Sequence, residues 1–241
     1  MNGTKLQPLD EDWNAALAVV AHPDDLEYGA ASAISKWTSE GKKVVYLLAT
    51  RGEAGIDGMT PEETAEVRVQ EEIAGAGVVG VEIVEFLDHT DGIVEYGPAL
   101  RRDIARAIRA HKPEAVITIN FDLRFSQGLA NQADHRAVGL AALDASRDAG
   151  NRWIFPELLD EGLEPWNGVK ALFVNASPNA THAVDVGDHI YKGVESLEKH
   201  EKYIQGLGSD VDPEMMLTMN ANATGIEFGC DYAVSFEVFE L

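Results

Sequence analysis

The densest chemistry in the sequence is Ala21-His22-Pro23-Asp24-Asp25, which packs one imidazole and two carboxylates into a single turn. Imidazole nitrogen and carboxylate oxygen are both ligands for zinc and similar divalent ions. His22 and Asp25 are three residues apart, so a turn can aim both inward, and Pro23 restricts the backbone between them. Asp24 would then lie beside a cation without having to bind it, placed to accept a proton from an attacking water. The competing reading of the same residues is an acidic turn that caps the next helix. A third ligand must come from elsewhere. Of the histidines at 22, 89, 111, 135, 182, 189 and 200, His135 stands out. It sits in Gln132-Ala133-Asp134-His135-Arg136, at the start of a helix that follows a strand and a long loop. Asp134 can orient a neighbouring imidazole or cap that helix. His111 precedes Lys112-Pro113 at the opposite edge. His200 reads as a surface residue or one standing behind the site. His89 and His189 flank acidic turns and are minor candidates for substrate contact.

The elements that would position these groups alternate strand and helix. Ala15 to Ala21 reads as a buried strand, and Leu26 to Glu40 as a helix stopped by Gly41. Lys43 to Ala49 is a second strand. Pro61 to Ala76 is a helix with Thr60 as N-cap and proline at its first position. Strands at Val81 to Leu87 and Ala115 to Ile119 bracket a helix from Pro98 to Ala110, and Asp134 to Ala149 is a further helix. Near-continuous apolar strands joined by helices imply parallel β-α-β units covered on both faces. The expected architecture is a three-layer α/β, Rossmann-like fold with a mostly parallel sheet. The His-Pro-Asp-Asp turn directly follows the first strand, and ligand sites in such sheets lie beyond the strands' carboxyl ends. From Asn151 to Pro165 the pattern loosens. Strands return at Val169 to Asn175 and His182 to Val186, followed by a helix from Asp188 to about Gly206. Gly208 to Gly229 is poorly patterned and reads as a mobile loop before a last strand from Tyr232 to Phe239. The whole chain, 1–241, is expected to form one domain with its core at about 13–207 and a loose segment at 208–241.

Together these residues resemble the PIG-L or LmbE-like N-acetylglucosaminyl deacetylase family. The resemblance begins at Ala21-His22-Pro23-Asp24-Asp25 and continues through Thr50-Arg51-Gly52-Glu53 and Arg68-Val69-Gln70-Glu71-Glu72. It resumes at Asp91-Gly92 and Asp134-His135-Arg136, and weakly at Lys192 to His200. The resemblance implies His22, Asp25 and His135 as zinc ligands, with ferrous iron as the alternative ion, and Asp24 as general base. It implies Glu53, Arg68 and Asp91 as contacts to substrate hydroxyls or supports for the ligands. For Arg68 and Glu71 the competing reading is an exposed helix face. One position departs from the family. Where many members carry a histidine three residues before the last ligand, this chain has Gln132, whose amide can donate to an oxyanion but cannot give up a proton. The implied activity is removal of an acyl group from an amide, in an N-acyl amino sugar or its conjugate. The alternative is a member that binds metal and ligand without efficient turnover. Homo-oligomers are also compatible with the family.

Composition narrows the partners. The chain of 241 residues has 41 acidic and 19 basic side chains, a formal net charge of −22. Such a surface repels phosphate backbones and anionic lipid headgroups, so neither nucleic acid nor membrane is expected as a partner. The single Cys230 allows no intramolecular disulfide and no multi-cysteine zinc site, and reads as a buried bystander. There is neither a signal-peptide pattern nor a run approaching the ~18 apolar residues of a membrane helix, so a cytoplasmic protein is expected. A nucleotide-binding module is disfavoured because the first strand leads into His-Pro-Asp-Asp and not a glycine-rich phosphate cradle. A serine hydrolase is disfavoured because no Gly-x-Ser-x-Gly elbow occurs.

Overall fold

The computed structural model describes residues 6–125, 128–208 and 212–241. Among them the strands are β1 (Gln7–Pro8), β2 (Ala15–Val20), β3 (Lys43–Leu48), β4 (Ile83–Phe86), β5 (Ala115–Ile119), β6 (Ala171–Asn175), β7 (His182–Asp185) and β8 (Ala233–Glu240). The helices are α1 (Ala31–Ser39), α2 (Pro61–Val78), α3 (Pro98–His111), α4 (Ala133–Asp148), α5 (Glu157–Asp160), α6 (Ile190–Glu198), α7 (Glu201–Gly206) and α8 (Pro213–Phe228).

The strands form one sheet in the order β1-β7-β8-β6-β5-β2-β3-β4. All neighbours run parallel except β8, which is antiparallel to both β6 and β7. Strand β2 shows why both faces are covered. Ala16, Ala18 and Val20 enter one core with Ile34 and Trp37 of α1. Leu17 and Val19 enter the other with Leu100 and Ile104 of α3 and Ala141 and Ala145 of α4. A six-residue strand with apolar side chains on both sides can only be satisfied between two helical layers.

The chain winds from β2 outward to β3 and β4, then returns to place β5 and β6 on the other side of β2. The order therefore reverses between β2 and β5. Loops leaving these two strands at their carboxyl ends diverge, and the crevice between them is where ligands bind in open α/β sheets.

Four local expectations change. The segment after the first strand is irregular up to Ala30, and the helix begins only at Ala31. Hydrogen bonds within the His22–Ala30 turn, such as Tyr28 N–H to the Asp24 carbonyl, take the place of regular helix. The late helix is broken at Lys199–His200 into α6 and α7. The presumed loop at 208–229 is largely helix α8; only residues 209–211 lie outside the described residues. Asp212 caps α8 by accepting the Met215 N–H, Pro213 opens it, and Gly229 ends it at φ 109°. Its apolar residues do not fall on one face, so periodicity hid it, while the residues at both ends signalled it. Finally, the C-terminal segment is not loose, since β8 lies inside the sheet. Cys230 is half-buried, its thiol directed at the Tyr232 carbonyl.

Candidate metal centre and active site

The turn after β2 and the start of α4 meet at the strand-order reversal. The His22 and His135 rings lie with centroids 5.2 Å apart. One donor atom each from His22, Asp25 and His135 lies within 4.8 Å of the others. All three side chains are buried.

Each is held by its far side. Asp25 Oδ2 accepts the backbone N–H groups of Ala21 (3.0 Å) and His22 (2.9 Å). That leaves Oδ1, which lies 3.1 Å from His135 Nε2. His135 Nδ1 donates to Asn131 Oδ1 (2.9 Å), and Asn131 Nδ2 is itself fixed on the carbonyls of Asn120 and Asp122. The amide orientation thus assigns the ring proton to Nδ1 and leaves the Nε2 lone pair facing inward. Among the described residues that nitrogen is buried without a hydrogen bond. His22 is arranged the opposite way round. Its Nε2 faces Asp91 Oδ1 (3.0 Å) and Asp134 Oδ2 (3.3 Å), which can only accept, so Nδ1 faces Asp25. Asp91 and Asp134 are anchored in turn by backbone N–H groups, of Ala54 for the first and of Gly92 and Val94 for the second. Two inward lone pairs and one carboxylate oxygen, all braced from behind, fit a small divalent cation.

The electrostatics agree. Burial alone would lower the His22 pKa, but Asp25, Asp134 and Asp91 raise it to about 12. Burial alone would raise that of Asp25, but His135 and His22 hold it well below the usual carboxylate range. The cluster demands positive charge, which a proton or a cation can supply.

Asp24 lies apart from this set. It occupies a left-handed backbone conformation at φ 87°, unusual for a residue with a side chain. Its N–H is tied to Glu72 Oε2 (2.9 Å). Its Oδ2 is 3.2 Å from Arg68 Nη2 and has no hydrogen bond among the described residues. Burial first, then Asp25, push the Asp24 carboxyl up to about 7, against the pull of Arg68. A carboxyl that exchanges its proton near neutrality suits a general base.

Arg68 is 2 % exposed, so the exposed-face reading of α2 fails here, and Glu71 is buried too. The Arg68 guanidinium lies 3.9 Å over the Tyr203 ring and donates to the carbonyls of Pro23 and Gly52. Gly52, at φ 65°, leaves no room for a side chain, because a Cβ there would meet Arg68 Nη1 at 2.2 Å. Glu53 accepts from the N–H groups of Arg51 and Asp91, bracing the loop that presents Asp91. Gln132 stands at the N-cap of α4 with an exposed side chain that makes no hydrogen bond among the described residues. His200 is not on the surface: it is fully buried beside Glu27 and Glu72. His89 instead faces Asp103, and His189 faces Ser35. Asn131 escaped the sequence reading, although an asparagine four residues before a ligand histidine was available as a signal. Tyr203 could not have been found by spacing.

A Rossmann-like sheet brings two histidines and a carboxylate together at its order reversal, with an isolated carboxyl beside them, and this set could hold a divalent cation. Residues 17–146 match the sequence model of the GlcNAc-PI de-N-acetylase family, PIG-L. The chain belongs to that family. It is 30% identical over 199 residues to a diacetylchitobiose deacetylase of Thermococcus kodakarensis, covering 82% of this chain and 73% of the relative. It is 28% identical over 201 residues to a 1D-myo-inositol 2-acetamido-2-deoxy-alpha-D-glucopyranoside deacetylase of Kineococcus radiotolerans, and spans about half of that protein (52%, against 68% of this chain). Its fold superposes on N,N'-diacetylchitobiose deacetylase from Pyrococcus horikoshii with a TM-score of 0.85 at 23% identity, covering 95% of this chain and 85% of the other.

Proposed function

We propose that this protein is a zinc-dependent deacetylase that hydrolyses the amide of an N-acetyl amino sugar. The carrying observation is the pair of inward, outwardly braced imidazoles sharing one centre with Asp25, while Asp24 stays outside it. The two curated relatives, which act on acetamido sugars by name, support the substrate class. Two imidazoles and one carboxylate suit zinc best, with ferrous iron as the alternative.

When bound, the cation supplies Lewis-acid polarisation of the amide carbonyl and acidifies a water. His22, Asp25 and His135 would hold it, and Asn131, Asp91 and Asp134 keep their rings and tautomers in place. Asp24 accepts the proton of the attacking water and returns it to the departing amine nitrogen. Arg68 fixes the Asp24 carboxylate and lowers its proton affinity. Gln132, with its free amide at the rim, is the candidate donor to the tetrahedral oxyanion. Glu53 supports Asp91 by accepting its N–H, and the two are the candidate contacts to sugar hydroxyls. The proposal assigns the activity to one domain of residues 1–241, since β8 ties the C-terminal residues into the sheet.

The test is elemental analysis of the purified protein, followed by amine-release assays on N-acetylglucosamine and N,N'-diacetylchitobiose. About one equivalent of zinc or iron and chelator-sensitive amine release are expected. A metal-replete protein that releases no amine from any N-acyl amino sugar would leave the binding-only alternative standing.

A further inference from the structure

Arg68 is held from more sides than its approach to Asp24 requires. Nη1 donates to the Gly52 carbonyl and Nη2 to the Pro23 carbonyl, while Nη2 also lies 3.2 Å from Asp24 Oδ2. Gly52 and Gly55 stand so close that a Cβ on them would meet Nη1 at 2.2 and 2.5 Å. The third nitrogen, Nε, is buried and has no acceptor among the described residues. The guanidinium meets instead the Tyr203 ring, with Cζ 3.9 Å from the ring centroid. A cation over an aromatic face is attracted by the ring quadrupole, most strongly where water is excluded, and Arg68 is 2 % exposed.

Helix α7 delivers that ring and is tied down at both ends. Glu71, one turn beyond Arg68 on α2, accepts the Lys202 N–H at Oε1 (2.6 Å) and the Tyr203 N–H at Oε2 (3.4 Å). These are first-turn donors, which have no partner within their own helix. At the other end Gly206 packs on the buried Ile56, where a Cβ would meet Ile56 Cγ2 at 3.0 Å. Ile56 belongs to the same loop as Gly52 and Gly55, so α7 bridges the two segments that border the guanidinium. The Tyr203 hydroxyl makes no hydrogen bond among the described residues. Burial first, then Asp24, raise its phenol above the usual range against the pull of Arg68. The ring therefore meets the guanidinium as a neutral phenol, through its π-face and not as a phenolate.

We propose that Tyr203 is a positioning residue: its ring fixes the Arg68 guanidinium, and Arg68 in turn aims the Asp24 carboxylate at the attacking water. Tyr203 touches neither substrate nor cation. This rests on the proposed function and adds to it the element that keeps the general base in place. It also separates Arg68 from substrate contact, because a guanidinium buried beneath the ring has almost no surface to offer a sugar hydroxyl.

The experiment has a kinetic arm and a spectroscopic arm. Kinetically, kcat and KM for amine release from N,N'-diacetylchitobiose are compared in the metal-loaded protein and its variants. Tyr203→Leu removes the ring and should lower kcat by roughly 10- to 100-fold, the scale of a displacement of about 1 Å, with KM within about threefold. Tyr203→Phe keeps the ring and should restore kcat to within about threefold of the native value. Spectroscopically, the Arg68 Nε–H resonance, assigned by its loss in Arg68→Lys, needs no turnover. The ring current should shift it upfield in the native protein and in Tyr203→Phe, and the shift should vanish in Tyr203→Leu. Should Tyr203→Leu fail to fold, Glu71→Ala, which frees the first turn of α7, should show the same kinetic split and a reduced shift. Native kcat in the leucine variant, or a native spectrum without the upfield shift, overturns the proposal. So does a phenylalanine variant as slow as the leucine one, which would move the role to the hydroxyl, or a loss taken in KM, which would put Tyr203 against the substrate. A native protein that releases no amine from any N-acyl amino sugar sinks the deacetylase reading, and the spectra still decide whether Tyr203 fixes Arg68.

Discussion

Two groups of one imidazole type and carboxylates lie on either side of the Asp24 turn, and they carry opposite charge states. In front, His22 is driven up to about 12 by Asp25, Asp134 and Asp91 despite its burial, and Asp25 is held ionised by the two histidines. Behind, burial and Arg68 lower His200 to about 3, while burial raises Glu27 to about 8 and Glu72 well above the usual range. His200 Nε2 lies 3.8 Å from Glu72 Oε2 and 4.0 Å from Glu27 Oε2, beyond hydrogen-bond reach. The donor types are nearly the same. The anchoring is not. In front, backbone N–H groups and the side chains of Asn131, Asp91 and Asp134 fix each ligand and aim one lone pair inward. Behind, neither ring nitrogen of His200 has a partner among the described residues, and Glu72 spends one oxygen on the Asp24 N–H. A set of metal-type donors becomes a cation site when its far sides are satisfied; otherwise burial neutralises it. The rear group then serves the backbone of Asp24 and not a ligand.

The contrast is broken most directly at Asp25. Asp25→Asn removes the charge that balances the cation and should empty the site. The loss of affinity should exceed the roughly 10–100-fold that loss of an outer partner costs. Metal content by elemental analysis checks it. One full equivalent retained in Asp25→Asn would mean that the front cluster is not the cation site.

Next in size is Asp24, which borders both groups and belongs to neither. Asp24→Asn should keep the metal and lower kcat by about 10²–10⁴. If it instead emptied the site while Asp25→Asn did not, the roles of the two would be reversed. The pH profile adds a sign. A base works ionised, so kcat/KM should fall as pH drops through the Asp24 ionisation near 7. Arg68 favours the ionised form, so Arg68→Met should move that acid limb to higher pH. A limb unmoved, or moved to lower pH, would remove Arg68 from this role.

The front cluster was legible in the sequence because its parts fall at strand ends with a distinctive spacing, and a strand followed by His-Pro-Asp-Asp has one natural location. The sheet was legible for the same reason, since apolar runs such as Ala15–Val20 and Lys43–Leu48 leave little freedom. Helix α8 was not, because its apolar residues are spread around its axis and the period-3.6 signal cancels. The rear cluster was hidden differently. Glu72 and His200 are 128 residues apart, and each looks like a charged residue on an amphipathic helix. Only the packing of α2 against α6 and α7 carries them inward. The exposed-face alternative for Arg68 had the same source, since a guanidinium in a helix of glutamates suggests solvent until the Tyr203 ring covers it.

The smallest expected effect sharpens the contrast most. If Glu72 is a neutral acid, glutamine reproduces its shape and charge, and still accepts the Asp24 N–H. Glu72→Gln should therefore retain the full metal content and lose little activity, where the chemically identical change at Asp25 empties the site. Glu72→Ala differs, because it leaves the Asp24 N–H buried and unpaired in a left-handed turn, costing about 1–3 kcal/mol. For a chain of this size that lowers Tm by roughly 2–12 °C, measurable by calorimetry, and it should reduce kcat through the misplaced Asp24 more than it raises KM. A glutamine variant that loses its metal would place Glu72 among the charged groups that hold the cation. The two clusters would then be one site, and the opposition between an anchored, charged front and an unanchored, neutral rear would fail.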